Sequence, residues 1–183
     1  MKTLTWQKPG QQNVAQELIK IIINYVAELR LTNSIAGSYF CPIQIRRIIY
    51  NFFGHKVKGT IYPEAFIGFG PGKLTIEKNS YCNYRCFFDL GADIIIGNNC
   101  SIAYGVTFVN SSHHIGNADK RGGEIVQKQI IIKDGCWIGA NATIMPGVTI
   151  EEGCIIGTGS LVNTNCKRNG IYVGVPAKRI RDL

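Results

Sequence analysis

The sequence predicts an all-β solenoid: a parallel β-helix of hexapeptide repeats, with a short N-terminal helical segment and an extruded loop. Glycine is frequent, at 21 of 183 residues, which suits a chain with many tight turns. A polar stretch, residues 109–129, interrupts an otherwise regular repeat. In that repeat, aliphatic residues recur at a constant step of six. The unbroken run is Ile132, Ile138, Ile144, Ile150, Ile156 and Val162.

The N-terminal segment, residues 1–58, is predicted to be helical. Asn13 followed by Gln16 and Glu17 is typical of a helix N-cap with its capping-box partner. The apolar residues between Leu18 and Leu29 then recur at helical spacing. These features predict an amphipathic helix that begins at Asn13.

A second helix is predicted to start at Pro42, because proline suits the first position of a helix. It is predicted to stop at Gly54, since glycine favours the left-handed conformation that ends helices. We expect the two helices to form a hairpin packed on the main domain. Arg46 and Arg47 beside an apolar stripe also leave peripheral proximity to a membrane open.

Residues 59–166 are predicted to form the β-helix. Each hexad supplies one short strand and one turn, and three hexads make one triangular coil. The aliphatic residue of each hexad should point inward and stack on its counterpart one coil away. A small residue follows four positions later, near a corner. Outward positions such as Ile94, Ile131 and Ile155 are expected to suit an interface between subunits.

This register accounts for five of the seven cysteines as small buried residues. They are Cys82, Cys86, Cys100, Cys136 and Cys154. Cys41 and Cys166 lie outside the repeat and are left unassigned. The number of cysteines is odd and there is no CxxC pair, which favours reduced thiols and a cytoplasmic location. The start of the chain resembles no secretory signal, and charges interrupt its apolar residues, so no transmembrane helix is expected.

The loop, residues 109–129, is the expected place for chemistry, because a long loop inside a compact fold is usually functional or disordered. It contains His113 and His114. A histidine titrates near neutral pH and can accept a proton from an attacking group. His55 is the one further histidine, so the three well-placed ligands of a zinc site are not expected, and we predict no metal.

The net charge of +8 predicts an anionic ligand or surface. The C-terminal segment, residues 167–183, is predicted to be a basic tail. The sequence contains no nucleotide-binding glycine motif, no serine-hydrolase elbow and no HExxH motif. It also lacks a recognisable nucleic-acid-binding motif, so nucleic acid is not the expected partner.

The C-terminal two thirds of the chain contain the segments CWIGANATIMPGVTI, IIGTGSLV and GVPAKRI. Through these segments, the sequence from about residue 60 to 183 resembles the hexapeptide acyltransferases with a left-handed β-helix. More narrowly, it resembles the maltose, galactoside and polysaccharide O-acetyltransferases. The resemblance implies acetyl-CoA as cosubstrate, a sugar-like acceptor, and a groove between neighbouring subunits of a homotrimer.

The resemblance also implies catalytic residues. His113 in NSSHHI stands at the position of the family's catalytic histidine. Asn83 matches an active-site asparagine, although Arg85 replaces a second asparagine two positions later. Asp89 is a secondary candidate within FDLG, and Glu124 is expected to orient the histidine.

For acetyl-CoA, the resemblance implies contacts from aromatic, small and basic positions. These positions are Trp137, Gly139, Ala140, Thr158, Lys178 and Arg181. Lys178 stands where relatives often have arginine, which weakens any bidentate contact with a phosphate.

These residues predict acetyl transfer from acetyl-CoA to a sugar hydroxyl within a ternary complex. His113 would be the general base, and Asn83 would hold the acceptor or support the oxyanion. If the alignment of NSSHHI is off by one, His114 is the base instead. Two alternatives stay open. One is an amine, serine or antibiotic acceptor, and the other is a β-helical scaffold without catalysis.

Overall fold

The computed structural model describes residues 11–183, and most of them form a parallel β-helix. Three parallel sheets make the faces of a triangular prism, and the chain visits them in turn. The first and third sheets have five strands each, so five coils are complete. The second sheet has seven strands, because the C-terminal residues add to it. This architecture confirms the predicted solenoid.

The strands are only two or three residues long in the complete coils. In the first sheet they are β1 (Lys56–Val57), β4 (Leu74–Ile76), β7 (Ile94–Ile96), β12 (Ile130–Ile132) and β15 (Thr149–Ile150). In the second sheet they are β2 (Thr60–Ile61), β5 (Tyr81–Cys82), β8 (Ser101–Ile102), β13 (Trp137–Ile138) and β16 (Ile155–Ile156). In the third sheet they are β3 (Phe66–Ile67), β6 (Phe87–Phe88), β9 (Thr107–Phe108), β14 (Thr143–Ile144) and β17 (Leu161–Val162).

The core is the column of inward side chains that the six-residue step predicts. Ile144 is fully buried and is paired in register with Phe108 on one side and Val162 on the other. The small inward positions are buried too, including the five cysteines assigned to the repeat. Cys166, which was left unassigned, is also buried and bridges to Ile150 at the start of a sixth coil.

One corner carries a ladder of side-chain donors between coils. Ser80 donates to the carbonyl of Gly97 at 2.5 Å, one coil further along. The thiols above it repeat this contact at 3.1 Å. The pairs are Cys100 with Lys133, Cys136 with Glu151, and Cys154 with Lys167. Small size explains only part of the preference for cysteine here, since each thiol also satisfies a main-chain carbonyl.

The outward positions need one correction. Ile94 is fully buried, whereas Ile131 and Ile155 are half-buried as outward residues. The reason is that β7 has three residues, and side chains alternate between faces along a strand. Ile94 and Ile96 therefore both point inward, and Ile95 between them is the outward residue.

The N-terminal segment contains two α-helices joined by a π-helical stretch. Helix α1 spans Gln11–Leu29, so the prediction that Asn13 is its N-cap is wrong, because the helix has already begun at that residue. The π-helical stretch is Arg30–Ile35. Helix α2 spans Ile43–Phe52, with Pro42 as its N-cap rather than its first residue. Gly54 follows with φ of +84°, which confirms the predicted stop. Among residues 11–183, no helix has the length and apolar character needed to span a bilayer.

The two remaining departures from the prism are hairpins. Residues 109–129, predicted as a loop, contain the antiparallel pair β10 (Ser111–Ile115) and β11 (Gly122–Gln127). Residues 167–183, predicted as a tail, contain β18 (Gly170–Gly174) and β19 (Ala177–Asp182). Strand β18 pairs with β16, so the second hairpin closes the C-terminal end of the second sheet.

His55 is buried where α2 meets the first coil. Its Nδ1 accepts the Leu74 N–H at 3.2 Å, and its Nε2 lies 3.9 Å from a Glu28 carboxylate oxygen. Burial, helped by the charge of Lys73, lowers the pKa of His55 from 6.5 to about 4. The neutral imidazole is therefore the form that the folded protein holds.

We expect substitution of an inward residue to unfold neighbouring coils. Ile144→Asp places a carboxylate without a partner between Phe108 and Val162, at a cost of several kcal/mol. Asn141→Asp, at an exposed corner three residues earlier, should lose little. Thermal melts of the two variants provide the comparison. Equal melting temperatures would show that the inward register is wrong.

We also expect the stability of the protein to fall in mild acid through His55. The unfolded histidine takes up its proton near pH 6.5 and the folded one only near pH 4. The contribution of His55 to the free energy of unfolding is therefore complete above pH 6.5 and declines as the pH falls toward 4. At 1.36 kcal/mol per pKa unit, the loss is about 3 kcal/mol. Urea unfolding of the wild type and of His55→Asn between pH 7 and 4 measures this. The free-energy gap between the two proteins should narrow as the pH falls, and a constant gap would contradict the assignment.

Candidate active site

The β10–β11 hairpin presents His113 to solvent beside its partner strand. In this hairpin His113 is paired with Ile125. Its Nδ1 lies 2.9 Å from the carbonyl oxygen of Gly123. Because a carbonyl can only accept, the contact assigns the proton of the neutral ring to Nδ1 and leaves the Nε2 lone pair free. The side chain is thus held in the tautomer whose unprotonated Nε2 can act as a general base.

Glu124 was expected to orient this histidine. In the structure its side chain is exposed, and no hydrogen bond within residues 11–183 joins it to His113. The main chain of the preceding residue, Gly123, makes the orienting contact. Sequence patterns give little sign of such a contact, since every residue type offers a carbonyl.

A shallow pocket of about 270 Å³ lies against the histidine. It is lined by Ser112, His113, His114, Val126, Lys128 and Pro146. Lys128 was not among the candidates from sequence, and it lines the same pocket as the imidazole. Pro146 comes from the turn after β14, so the pocket joins the hairpin to the wall of the prism.

Asp89 and Asn110 hold the root of the hairpin. The Asp89 carboxylate accepts the Ser111 N–H at 3.0 Å. Asn110 is fully buried, and its amide donates to the carbonyl of Ala92. Asp89, a candidate from the family pattern, therefore makes a contact that fixes where β10 leaves the prism.

Asn83 lies at another edge of the prism. It follows β5 in the second sheet, and its side-chain oxygen accepts the Tyr84 N–H at 2.8 Å. His113 instead lies beyond β9 in the third sheet. No hydrogen bond within the described part of the chain connects the two. Within a single chain, the predicted base and the asparagine predicted to hold the acetyl acceptor therefore lie at different edges of the prism.

The predicted coenzyme residues gather on the second sheet, above Asn83. Trp137 is 55% exposed on β13, which is two strands from β5 in that sheet, or about 10 Å at the usual strand spacing. Beside it the chain contributes small residues and main chain that pack against the next coil. Gly139 donates to the carbonyl of Ile156 at 2.8 Å, and a Cβ at Gly139 would lie 2.6 Å from the Thr158 nitrogen. Ala140 accepts the Gly159 N–H at 2.8 Å on the same surface. An exposed indole thus stands beside a strip of small residues and main chain.

Lys178 and Arg181 lie on β19, the outer strand of the C-terminal hairpin. Both side chains are exposed and form no ion pair with any residue between 11 and 183. Arg179 between them is engaged with Asp182, the Tyr172 hydroxyl and main-chain carbonyls. Two cations are therefore free on this strand, at the end of the sheet that carries Trp137.

This chain is similar to several transferases and acetyltransferases with hexapeptide repeats. The family model for the bacterial transferase hexapeptide, of six repeats, matches residues 129–164. Galactoside O-acetyltransferase of Escherichia coli K12 is 31% identical over 123 residues, which are 67% of this chain and 60% of that protein. A putative acetyltransferase of Schizosaccharomyces pombe is 37% identical over 58% of this chain and 51% of its own length. The chain therefore spans only 51–60% of these two relatives.

Solved structures show the same architecture over most of the chain. A maltose O-acetyltransferase from Clostridium difficile 630 superposes with a TM-score of 0.72 at 26% identity, covering 91% of this chain and 88% of that one. A galactoside acetyltransferase in complex with coenzyme A gives 0.68 at 24% identity, covering 87% of this chain and 79% of that one, a likeness of fold. The chain thus resembles the hexapeptide-repeat acyltransferases in both sequence and fold, as predicted.

Proposed function

We propose that this protein is an acetyltransferase that moves an acetyl group from acetyl-CoA to a hydroxyl of a sugar or polysaccharide precursor. The observation that carries the proposal is His113, held by the Gly123 carbonyl with Nε2 free, on a hairpin that leaves a hexapeptide solenoid. Galactoside and maltose O-acetyltransferases among the similar proteins support the acceptor class. Complexes of similar folds with coenzyme A and acetyl-CoA support the donor.

The reaction needs a base, an oriented acceptor and a site for the oxyanion. His113 Nε2 accepts the proton of the acceptor hydroxyl as its oxygen attacks the thioester carbonyl. The tetrahedral intermediate then collapses, the C–S bond breaks, and the imidazolium returns its proton to the leaving thiolate. Asn83 holds the acceptor or donates to the oxyanion. Direct transfer requires only that both substrates meet in one groove.

Trp137 and the strip beside it are proposed as the coenzyme site. The exposed indole offers a face for the pantetheine arm or the adenine ring. Gly139 and Ala140 add no large side chain beside the indole, and Thr158 is exposed on the next coil, so an extended chain can lie close to the backbone there. Lys178 and Arg181 then supply positive charge for the phosphates.

A homotrimer would complete this site. His113 and Asn83 lie at different edges of one prism, so a groove between copies can bring His113 of one subunit near Asn83 of the next. The half-buried Ile131 and Ile155 are outward residues that such an interface would cover.

The helical segment exposes further apolar residues, among them Ile48 and Phe52 of α2, beside Arg47. This combination supports peripheral proximity to a membrane.

All seven cysteines are free, in keeping with a cytoplasmic location, which stays a prediction.

The direct test is release of free thiol from acetyl-CoA over a panel of sugars, amino sugars and serine. We expect sugars to stimulate release, and His113→Ala to lower kcat by about 10²- to 10⁴-fold while the affinity for acetyl-CoA stays near normal. His114→Ala is the matched control and should have a small effect. The opposite ranking of the two variants would make His114 the base. Failure of every acceptor, together with no coenzyme binding by calorimetry, would favour a scaffold.

A separate test concerns the coenzyme site. Trp137→Ala should raise the KM for acetyl-CoA about three- to tenfold, as expected for loss of an aromatic contact. Lys178→Ala should raise it too, and more at low salt than at high salt, because the contact is an exposed ion pair. Lys78→Ala, an exposed lysine on the first coils, is the control. Unchanged constants in both variants would move the coenzyme site elsewhere.

A further inference from the structure

Two corner residues depart from the pattern of the rest of the solenoid. Among residues 11–183, six non-glycine residues have positive φ. Four are asparagines, the residue that best tolerates the left-handed conformation. They are Asn79, Asn99, Asn141 and Asn169. The other two are Glu64 and Arg85, each with φ of 61°. Long charged side chains gain nothing locally from this conformation, and such strain tends to persist where a function requires it.

Glu64 and Arg85 occupy the same corner of two successive coils, after β2 and β5. They contact each other, with Arg85 Nε donating to a Glu64 carboxylate oxygen at 2.5 Å. The three later coils carry Gly105, Asn141 and Gly159 at the equivalent left-handed position. The charged pair is thus confined to the first two coils.

Tyrosines surround this pair. The rings of Tyr39 and Tyr84 stack with centroids 5.9 Å apart, and the Tyr62 ring lies 5.2 Å from that of Tyr84 at a tilt of 42°. Tyr39 is 60% exposed and Tyr84 is 39% exposed, so aromatic surface faces solvent beside the ion pair. We name Tyr39, Tyr62, Glu64, Tyr84 and Arg85 the tyrosine platform.

The tyrosine platform adjoins the candidate acceptor residue. Asn83 directly precedes Tyr84 and accepts its N–H at 2.8 Å. Both follow β5 in the second sheet, and Trp137 lies on β13 of the same sheet, two coils higher. On this side of the prism, aromatic and charged side chains therefore give way to the strip proposed for the coenzyme.

We propose that the tyrosine platform binds a pyranose ring of the acceptor and so determines specificity for a saccharide over serine or a small amine. A pyranose has an apolar face of C–H groups, which can lie on a tyrosine ring, and an edge of hydroxyls. A carboxylate accepts from such hydroxyls, and a guanidinium donates to them in a fixed fork. The hydrogen bond from Arg85 lowers the pKa of Glu64, so its carboxylate is charged at neutral pH. This inference rests on the acetyl transfer proposed above, whose acceptor class it specifies.

Two variants test the tyrosine platform. Tyr84→Leu keeps apolar area but removes the aromatic face, and Arg85→Asn restores the residue that the corner conformation prefers. Each should raise the acceptor KM about five- to tenfold and leave the KM for acetyl-CoA unchanged. Arg85→Asn should also keep or raise the melting temperature, because it relieves strain in the backbone. A variant that is as stable as the wild type but weaker for the acceptor separates binding from folding.

The control is Phe66→Leu, which should retain the wild-type acceptor KM. Phe66 is an exposed aromatic of β3 that stacks on Phe87, outside the platform. Sedimentation velocity of every variant reports the oligomeric state. If Tyr84→Leu and Arg85→Asn dissociate the assembly and leave the acceptor KM of the remaining assembly unchanged, the platform is a subunit interface and the proposal falls.

Direct binding distinguishes this inference from the proposed reaction. Saturation-transfer NMR with maltose, lactose and the methyl glycosides of their constituent monosaccharides measures sugar binding without turnover. Suppose that the wild type binds these sugars, that the two variants do not, and that no acetyl transfer occurs. This result would support sugar binding by the platform and contradict the proposed reaction. If transfer occurs and both variants keep the wild-type acceptor KM and sugar contact, the reaction stands and the platform falls. If the wild type neither binds sugar nor transfers acetyl, both fall.

Discussion

Stacking of each inward side chain on its counterpart one coil away is the contact on which the rest of this structure depends. Strands of two or three residues cannot persist alone, and only the main-chain hydrogen bonds to the coils above and below make them strands. The constraint also restricts the corners, where asparagine and glycine supply left-handed backbone and thiols donate to the next coil. Function is therefore confined to outward positions and to segments that leave the prism.

Much of this arrangement could be predicted from the sequence because the period is short and strict. The inward register follows from counting by six within three blocks, Ile76 to Phe88, Ile96 to Phe108 and Ile132 to Val162, and burial of the cysteines follows from the register. Ile94 was misplaced because the step does not reveal whether a strand has two residues or three. Asn13 was misplaced because capping chemistry cannot show how far upstream a helix has begun. The hairpins were predicted as a loop and a tail, since antiparallel pairing of polar segments leaves no periodic signal.

The site was predictable by residue type and much less by contact. His113, Asn83 and Trp137 were found by resemblance, and each is at least partly accessible to solvent. A main-chain carbonyl orients the imidazole, and a positive backbone φ strains the corner. Neither feature can be recognised from residue type. The separation of His113 from Asn83 is likewise a property of prism geometry. The proposal that both residues act at one site therefore depends on the proposed homotrimer.

The constant height of the coils also fixes the distances between side chains along the prism. On the second sheet, Tyr81 of β5 and Trp137 of β13 stand in register two coils apart, and each coil is about 4.8 Å high. Lengthening or shortening the prism between them without breaking the inward column requires adding or removing a complete turn of chain. The spacing between outward side chains on different coils, and so between groups that could bind the two ends of one ligand, can therefore change only in steps of one coil, about 4.8 Å.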